Sequence, residues 1–245
     1  MLRICRMKRS DNISFRNSIH KFSLHTKLVI SITAILIFGG AFLILVIEWG
    51  NTDTLGNLPW WEKGLAALFQ SVTLRTAGFF TISQEKFTNA SSVIFLLMMF
   101  IGGSPSGTAG GVKTVTFGLL ILAAMTVVKG KEDTEAFNRK ISSYFVKKGL
   151  AVVLISGCFL VISMMALSLV ENAPFLDVLY ETTSAIATVG LTRGLTGELS
   201  VFGKLIIIAT MYAGRIGPIS LALFFNSRKV KSNTRKLPVE RIIVG

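Results

Sequence analysis

Residues 59–79 read PWWEKGLAALFQSVTLRTAGF, and residues 174–191 read PFLDVLYETTSAIATVGL; the fold is decided by these two stretches of similar pattern. Each begins with a proline, which the first turn of a helix accepts, and each continues with about a dozen mainly apolar residues. A helix of that length reaches about 18 Å, which is only part of a bilayer core of roughly 30 Å. Both stretches therefore predict a helix that enters a membrane and turns back inside it.

Each short helix runs into a strip that contains glycine, Thr76-Ala77-Gly78 in the first and Thr188-Val189-Gly190 in the second. Irregular backbone at membrane depth is tolerated only where protein or a water-filled cavity covers it. A helix followed by a Thr-x-Gly strip aims backbone carbonyls, together with the negative end of the helix, at a dehydrating cation. The alternative is a pair of interfacial amphipathic hairpins with glycine turns.

The two stretches belong to an internal repeat. The strips lie 112 residues apart. A single Thr-x-Gly is common by chance, but its recurrence in the same context favours the filter interpretation. The unit is a crossing helix, a re-entrant helix, a strip and a second crossing, present twice in parallel orientation. Such repeats, packed around an axis along the membrane normal, fit a pore or transporter. Further matching positions are Gln70 with Glu181 and the segment 99–102 with 211–214.

Long uncharged runs surround the short helices and predict four membrane crossings, the second of them broken. Among the 245 residues, 51% are hydrophobic and 16% charged, against about 25% charged in ordinary soluble domains. This composition excludes a typical soluble enzyme and a disordered chain. Two cysteines and two histidines also exclude a disulfide framework or a four-cysteine zinc site. The uncharged runs are 28–47, 87–112, 114–128, 149–170 and 205–227, the last interrupted only by Arg215.

The positive charge of the chain is concentrated beside the predicted crossings. Of 26 lysines and arginines, 19 lie in three segments, 1–27, 129–148 and 228–245. The positive-inside rule places these segments, and so both termini, in the cytoplasm of a multi-pass plasma-membrane protein. The formal net charge of +13 therefore does not indicate nucleic-acid binding. Between the basic segments we expect two repeats, 28–128 with a broken last helix and 149–227.

A glycine-rich loop interrupts the second crossing of the first repeat. With five glycines and one proline in ten residues, a straight helix is not expected, and an unwound loop at this depth must line a cavity. We interpret it as a mobile obstruction in an ion path, with a flexible helix kink as the alternative. It is not a phosphate-binding loop, because Val112 rather than glycine precedes Lys113. Its residues are Gly102, Gly103, Ser104, Pro105, Ser106, Gly107, Thr108, Ala109, Gly110 and Gly111.

Arg215 occupies the equivalent place in the second repeat. A charge inside a crossing costs at least about 2.5 kcal/mol on insertion scales, so it is expected to face a polar cavity and to have a function. The alternatives are a structural ion pair or a clamp on backbone carbonyls.

Together these motifs, over about residues 20–227, resemble the Trk/Ktr/HKT potassium transporters and most of all their KtrB-like membrane subunits. In that family four such units surround one pore, and the resemblance assigns this chain units three and four. It further implies that Gly78 and Gly190 are filter glycines, that Gly102 to Gly111 is the gating loop, and that Arg215 is the pore arginine. It also implies K⁺ as the transported ion, held by filter carbonyls, with Na⁺ as a second candidate and no bound cofactor.

The resemblance implies a dimeric membrane assembly with a KtrA-like cytosolic nucleotide-binding regulatory subunit. Units one and two are missing from the sequence, so we expect a split or truncated gene or a fragment, completed by a separate pore half or by a second copy. Two functions stay open. The chain is either a K⁺-translocating subunit or a non-transporting membrane remnant or interaction module. No nucleophile–base pair or metal cluster indicates an enzyme.

Overall fold

The computed structural model describes residues 22–105, 109–131, 133–137 and 139–217, and within them the chain is mostly helical. Most of the basic segment predicted before residue 28, and the whole basic tail predicted from residue 228, lie outside the described residues. The same holds for Ser106, Gly107 and Thr108 of the glycine-rich loop.

The described residues of the first half form four helices. They are α1 (Leu24–Glu48), α2 (Trp60–Thr73), α3 (Asn89–Phe100) and α4 (Thr114–Val128). Helices α3 and α4 lie where the sequence predicts a broken crossing, and the glycine-rich loop separates them. A 3-10 turn, Gln84–Lys86, precedes α3.

The described residues of the second half form four further helices. They are α5 (Ser143–Val170), α6 (Phe175–Ile186), α7 (Leu195–Glu198), which is a single turn, and α8 (Val201–Ile216). Helix α5 begins six residues earlier than the predicted apolar run, because Ser142 caps it by accepting from the Tyr144 amide. Helix α8 ends at Ile216, and Gly217 follows it with a φ of 89°.

A small hairpin between α4 and α5 corrects the expectation of an entirely helical chain. Its strands, β1 (Glu135–Ala136) and β2 (Arg139–Lys140), pair antiparallel. Ion pairs favour this turn: Lys140 lies 2.6 Å from Asp133, and Lys131 lies 3.2 Å from Glu135. The segment predicted as a plain cytoplasmic connector therefore has a local structure of its own.

Two helices in the described part of the chain, α1 and α5, are long and apolar enough to cross a bilayer by length and composition. Helices α3 and α4 are apolar but have only 12 and 15 residues. Helix α8 has 16 residues.

One of the two hydrophobic clusters among the described residues contains side chains from both halves of the chain. In the first half α1 packs on α2, α3 and α4, and in the second α6 packs on α5 and α8. Helices α3 and α6 contact each other across the halves. Phe95, Met99 and Tyr180 are fully buried in the cluster that results. The contact between α3 and α6 thus fixes the position of the second short helix against the first half.

A carboxylate at the end of the first long helix in each half caps a later helix of the same half, α3 in the first half and α8 in the second. Glu48 Oε1 accepts from the Thr88 amide at 3.1 Å and from its hydroxyl at 2.7 Å. Glu171 Oε1 accepts from the Ser200 amide at 2.9 Å and from its hydroxyl at 2.6 Å. Thr88 and Ser200 are the N-caps of α3 and α8, and they lie 112 residues apart. Both carboxylates satisfy amides that a helix N-terminus leaves without partners.

Candidate functional site

The two Thr-x-Gly strips adopt the same unusual backbone conformation. The φ angles are 70° at Thr76 and 76° at Gly78, and 54° at Thr188 and 90° at Gly190. Left-handed backbone costs an L-residue such as threonine roughly 1–2 kcal/mol. Strain of this kind persists only where the surrounding structure enforces it, and it occurs most often at functional sites.

The C-terminal end of each short helix holds the strip that follows it. The Thr73 carbonyl accepts from the Gly78 amide at 3.3 Å, and the Ser184 carbonyl accepts from the Val189 amide at 2.9 Å. The Ser184 hydroxyl also accepts from the amides of Gly190 and Leu191, at 3.2 and 3.0 Å. In the first half the Thr73 hydroxyl donates to the Phe79 carbonyl. The C-terminal end of each short helix therefore holds its strip through the strip's own amides.

The strips approach each other at their glycines. A Cβ atom added to Gly78 would lie 2.3 Å from the carbonyl oxygen of Val189, much closer than a carbon atom can approach. Gly190 has open space around its Cα, and only its φ of 90° favours glycine there. The structure therefore brings the two predicted strips side by side and explains why the first requires glycine.

The C-terminal part of the glycine-rich loop lies against the second strip. Backbone bonds close the base of the loop, from the Val112 amide to Phe100 at 3.0 Å and from the Thr114 amide to Gly103 at 3.2 Å. A Cβ on Gly110 would lie 2.3 Å from the Thr188 hydroxyl oxygen and 2.5 Å from the Ala187 carbonyl oxygen. The loop thus reaches the C-terminal end of α6.

Three basic side chains surround this contact. Arg75 donates to the Gly102 carbonyl at 3.4 Å; it therefore lies between the first strip and the loop, although the sequence suggests an outer-loop charge. Lys113 donates to the Ala109 carbonyl, and its charge is within electrostatic range of Arg215. Gly214 packs so closely on Ile186 that a Cβ would lie 2.0 Å from its carbonyl oxygen. Arg215 is therefore placed beside the C-terminal end of α6, and it is exposed.

A buried polar network, which the sequence motifs do not reveal, joins the halves behind the strips. The Gln84 side-chain oxygen accepts from Gln70 Nε2 at 2.6 Å and from the Tyr180 hydroxyl at 3.1 Å. All three side chains are buried. Polar residues in otherwise apolar short helices are the signal that could have indicated this network, because buried polar groups require partners.

Two cavities adjoin the strips. One, of about 280 Å³, lies beside the first strip and is lined partly by Arg75, Thr76 and Gly103. The other, of about 210 Å³, lies between α6 and α8 beside Gly190, and its lining includes Glu181, Thr196 and Met211. Among the described residues no group of histidine, cysteine or carboxylate side chains could hold a metal ion.

Comparison with known proteins identifies the family. The family model of TrkH, described as a cation transport protein, matches residues 2–234. The chain belongs to the TrkH family. The structure resembles the potassium transporter TrkH from Vibrio parahaemolyticus, with a TM-score of 0.66 over 82% of this chain and 43% of that one at 21% identity. This likeness concerns the fold.

Three curated relatives cover nearly all of this TrkH-family chain. Ktr system potassium uptake protein B from Vibrio alginolyticus is 38% identical over 94% of the chain, and the Bacillus subtilis protein of that name is 40% identical over 91%. The potassium/sodium uptake protein NtpJ from Enterococcus hirae is 36% identical over 96%. The chain spans 50%, 50% and 53% of their respective lengths, which is about half. Family membership makes it a membrane protein of a cation-transport family, which is not a family of enzymes.

Proposed function

We propose that this chain lines half of a pore that takes up K⁺ through backbone carbonyls of the two Thr-x-Gly strips. The observation that carries the proposal is the shared conformation of the strips, with left-handed backbone at Thr76 and Gly78 and again at Thr188 and Gly190. Backbone that follows a helix end and leaves regular structure at matching positions suits a ring of carbonyls around one ion. The matched relatives named as potassium uptake proteins support K⁺ as the cargo, and NtpJ supports Na⁺ as a second ion.

In this proposal each half of the chain is one pore unit. Helices α2 and α6 are re-entrant, and their C-terminal ends direct partial negative charge at the cation. The repeats correspond to 28–128 and 149–227, with basic segments 1–27, 129–148 and 228–245 in the cytoplasm of a multi-pass protein. The parallel caps from Glu48 to α3 and from Glu171 to α8 support this twofold reading of the chain.

The glycine-rich loop, Gly102 to Gly111, acts as the gate in this proposal, and Arg215 modulates the ion below the second strip. Contact between Gly110 and the Thr188 side chain supports an obstruction next to the filter rather than a simple kink. Lys113 and Arg215 are both positively charged and within electrostatic range of each other, so a cation that approaches them is repelled.

The pore requires a second half, because two strips surround an ion on only part of its circumference. Repeat correspondence indicates where that half docks. Tyr180 of the second half reaches Gln84 of the first half. It packs in the same cluster as Met99, which is fully buried. The matching residue in the second half, Met211, is 46% exposed and lines the cavity that contains Thr196, the counterpart of Gln84. We propose that a short helix of another pore half fills this cavity.

Two relatives belong to Ktr systems, and we propose a KtrA-like cytosolic nucleotide-binding subunit as the regulatory partner on the basic cytoplasmic side. The alternative, a membrane remnant without transport, is less favoured because the curated relatives named above are uptake proteins and because both strips share left-handed backbone at matching positions.

Growth rescue of a K⁺-uptake-deficient bacterium tests the proposal. The assembled transporter containing the wild-type chain should restore growth at low K⁺, also with excess Na⁺ present. Gly190→Ser imposes the left-handed φ of 90° on a residue with a side chain. We expect weaker rescue and greater sensitivity to Na⁺. Unchanged rescue and unchanged Na⁺ sensitivity would rule out the filter assignment.

A further inference from the structure

We propose that Arg193 positions the second strip by linking it both to its own helix and to the first half of the chain, and that this link sets the preference for K⁺ over Na⁺. The inference rests on the pore proposed above. Arg193 lies three residues after Gly190, in a part of the sequence to which no filter, gate or pore role is assigned above.

A row of polar side chains on one face of α6 holds successive residues of the segment that follows the strip. Asp177, Glu181 and Ser184 are spaced by four and three residues, and they therefore share a helix face. Ser184 accepts from the amides of Gly190 and Leu191, as described above. Glu181 accepts from the Thr192 hydroxyl at 2.7 Å.

Asp177 completes the row, because its Oδ1 accepts from Arg193 Nε at 2.7 Å. The segment from Gly190 to Arg193 thus runs back along α6. Ser184 holds Gly190 and Leu191, Glu181 holds Thr192, and Asp177 holds Arg193. This arrangement fixes how far Gly190 lies from the end of α6.

The rest of the Arg193 guanidinium reaches the first half of the chain. Nη1 donates to the Ser92 hydroxyl on α3 and to the Gln84 carbonyl at 3.4 Å. The Arg193 side chain is only 10% exposed, so water screens these bonds little. A single cation therefore connects the second strip, α6, the 3-10 turn after the first strip and α3. Charge-assisted hydrogen bonds of this kind are stronger than neutral ones and geometrically specific.

Hydrogen bonds and buried neighbours, rather than packing around its own Cα, hold Gly190 in place. A Cβ at Gly190 would meet nothing within 4 Å. Val189 and Leu191 on either side are buried in the core cluster, and the bonds to Ser184 and the Arg193 link hold the segment that includes Gly190. Selectivity among alkali cations depends on the number and placement of coordinating carbonyls. Loosening the Arg193 link should therefore relax selectivity more than it reduces total uptake.

The test measures K⁺ and Na⁺ uptake by the assembled transporter in a host that lacks its own K⁺ uptake. For Arg193→Gln we expect the ratio of Na⁺ to K⁺ uptake to rise roughly tenfold, which corresponds to about 1.4 kcal/mol of lost discrimination. Ser92→Ala removes the bond to the first half while leaving the Arg193–Asp177 pair, and it should raise the ratio by a smaller factor. Arg193→Lys retains the charge but not the planar fork, so it should also raise the ratio.

Lys204→Gln is the matched control, because it removes the same charge from an exposed residue in the first turn of α8. Its uptake ratio should equal that of the wild type. A wild-type ratio in Ser92→Ala and in both Arg193 variants, or an equal rise in Lys204→Gln, would overturn the inference. If Arg193→Gln does not accumulate in the membrane, Ser92→Ala and Arg193→Lys decide the question. Absence of any K⁺ uptake by the wild type would instead contradict the proposed function, and this inference with it.

Discussion

The Tyr180 hydroxyl donates a 3.1 Å hydrogen bond to the side-chain oxygen of Gln84, and both side chains are buried. Tyr180 lies on α6, which leads into the second strip, whereas Gln84 follows the first strip. The same Gln84 oxygen accepts from Gln70 on α2. The two short helices, α2 and α6, are thus connected through the Gln84 side chain.

Removing that hydroxyl should loosen the connection. Tyr180→Phe deletes one buried hydrogen bond, at an expected cost of about 1 kcal/mol in unfolding free energy. Tyr144→Phe is the matched control, because Tyr144 is 64% exposed near the start of α5. Thermal unfolding in detergent should show a lower midpoint for Tyr180→Phe alone. Equal midpoints for the two variants would show that the buried network contributes nothing to stability.

Gly78→Ala should abolish K⁺ uptake. The added Cβ would collide with the Val189 carbonyl oxygen at 2.3 Å, and both partners are backbone atoms or fixed to backbone. Gly157→Ala serves as the control, because Gly157 is helical and has open space around its Cα. Alanine there should be neutral or stabilise by up to about 1 kcal/mol. Growth rescue at low K⁺ measures uptake by both variants, and protein yield measures their folding. Normal rescue by Gly78→Ala would contradict the close approach of the strips.

Glu48→Gln should destabilise the protein more than Glu171→Gln. The Glu48 carboxylate has 0% exposure, and its partners donate hydrogen bonds to it. They include the Thr88 amide and Asn51 Nδ2. A glutamine would direct its own NH₂ group at one of these donors, which costs about 2 kcal/mol. Glu171 is partly exposed, and the Ser200 amide and hydroxyl both donate to the same carboxylate oxygen. The amide oxygen of a glutamine can accept these two bonds in its place. The thermal unfolding midpoint of each variant is compared with that of the wild type. Equal decreases in the two variants would refute this account.

Deleting residues 104–110 should increase ion leak through the assembled transporter. Gly110, at one end of this segment, contacts Ala187 and Thr188 of the second strip region. A shorter connection from Gly103 to Gly111 withdraws the obstruction from the strip. Flux of ⁸⁶Rb⁺ into cells measures the effect, with membrane abundance as the control for folding. Equal or lower flux from a well-folded deletion variant would exclude a gating role.

Much of the helical pattern follows from the sequence because membrane helices are selected for long apolar runs. The runs around residues 28–47 and 149–170 correspond to α1 and α5, although each helix starts several residues earlier. The break before α4 follows from the glycines of the loop. Asn57 and Asn172, two residues before the prolines, suggest caps for α2 and α6. Instead Pro59 and Pro174 are the N-caps, without side-chain bonds.

The long-range polar contacts were not predictable from the motifs. Glu48 and Glu171 cap helices 40 and 29 residues away, and repeat spacing does not align the two carboxylates with each other. Arg193 lies in a polar loop, where a charged residue is ordinarily solvated, and its contacts with Ser92 and Gln84 depend on tertiary packing. Arg75 is similar, because its place beside Gly102 depends on where α2 ends. Such long-range polar partners require coordinates.

The central claim is that this chain forms only part of a K⁺ pore and conducts when a further half completes the ring of carbonyls. Two copies of the chain would place two Arg215 side chains around one pore, where like charges repel each other and the cation, so a distinct second half is favoured. The most direct measurement is K⁺-selective flux into liposomes containing this chain alone, with native mass spectrometry of the same sample. We predict no K⁺-selective flux from a monomer. A monomer with robust K⁺-selective flux would contradict the claim, and a conducting homodimer would contradict the preference for a distinct half.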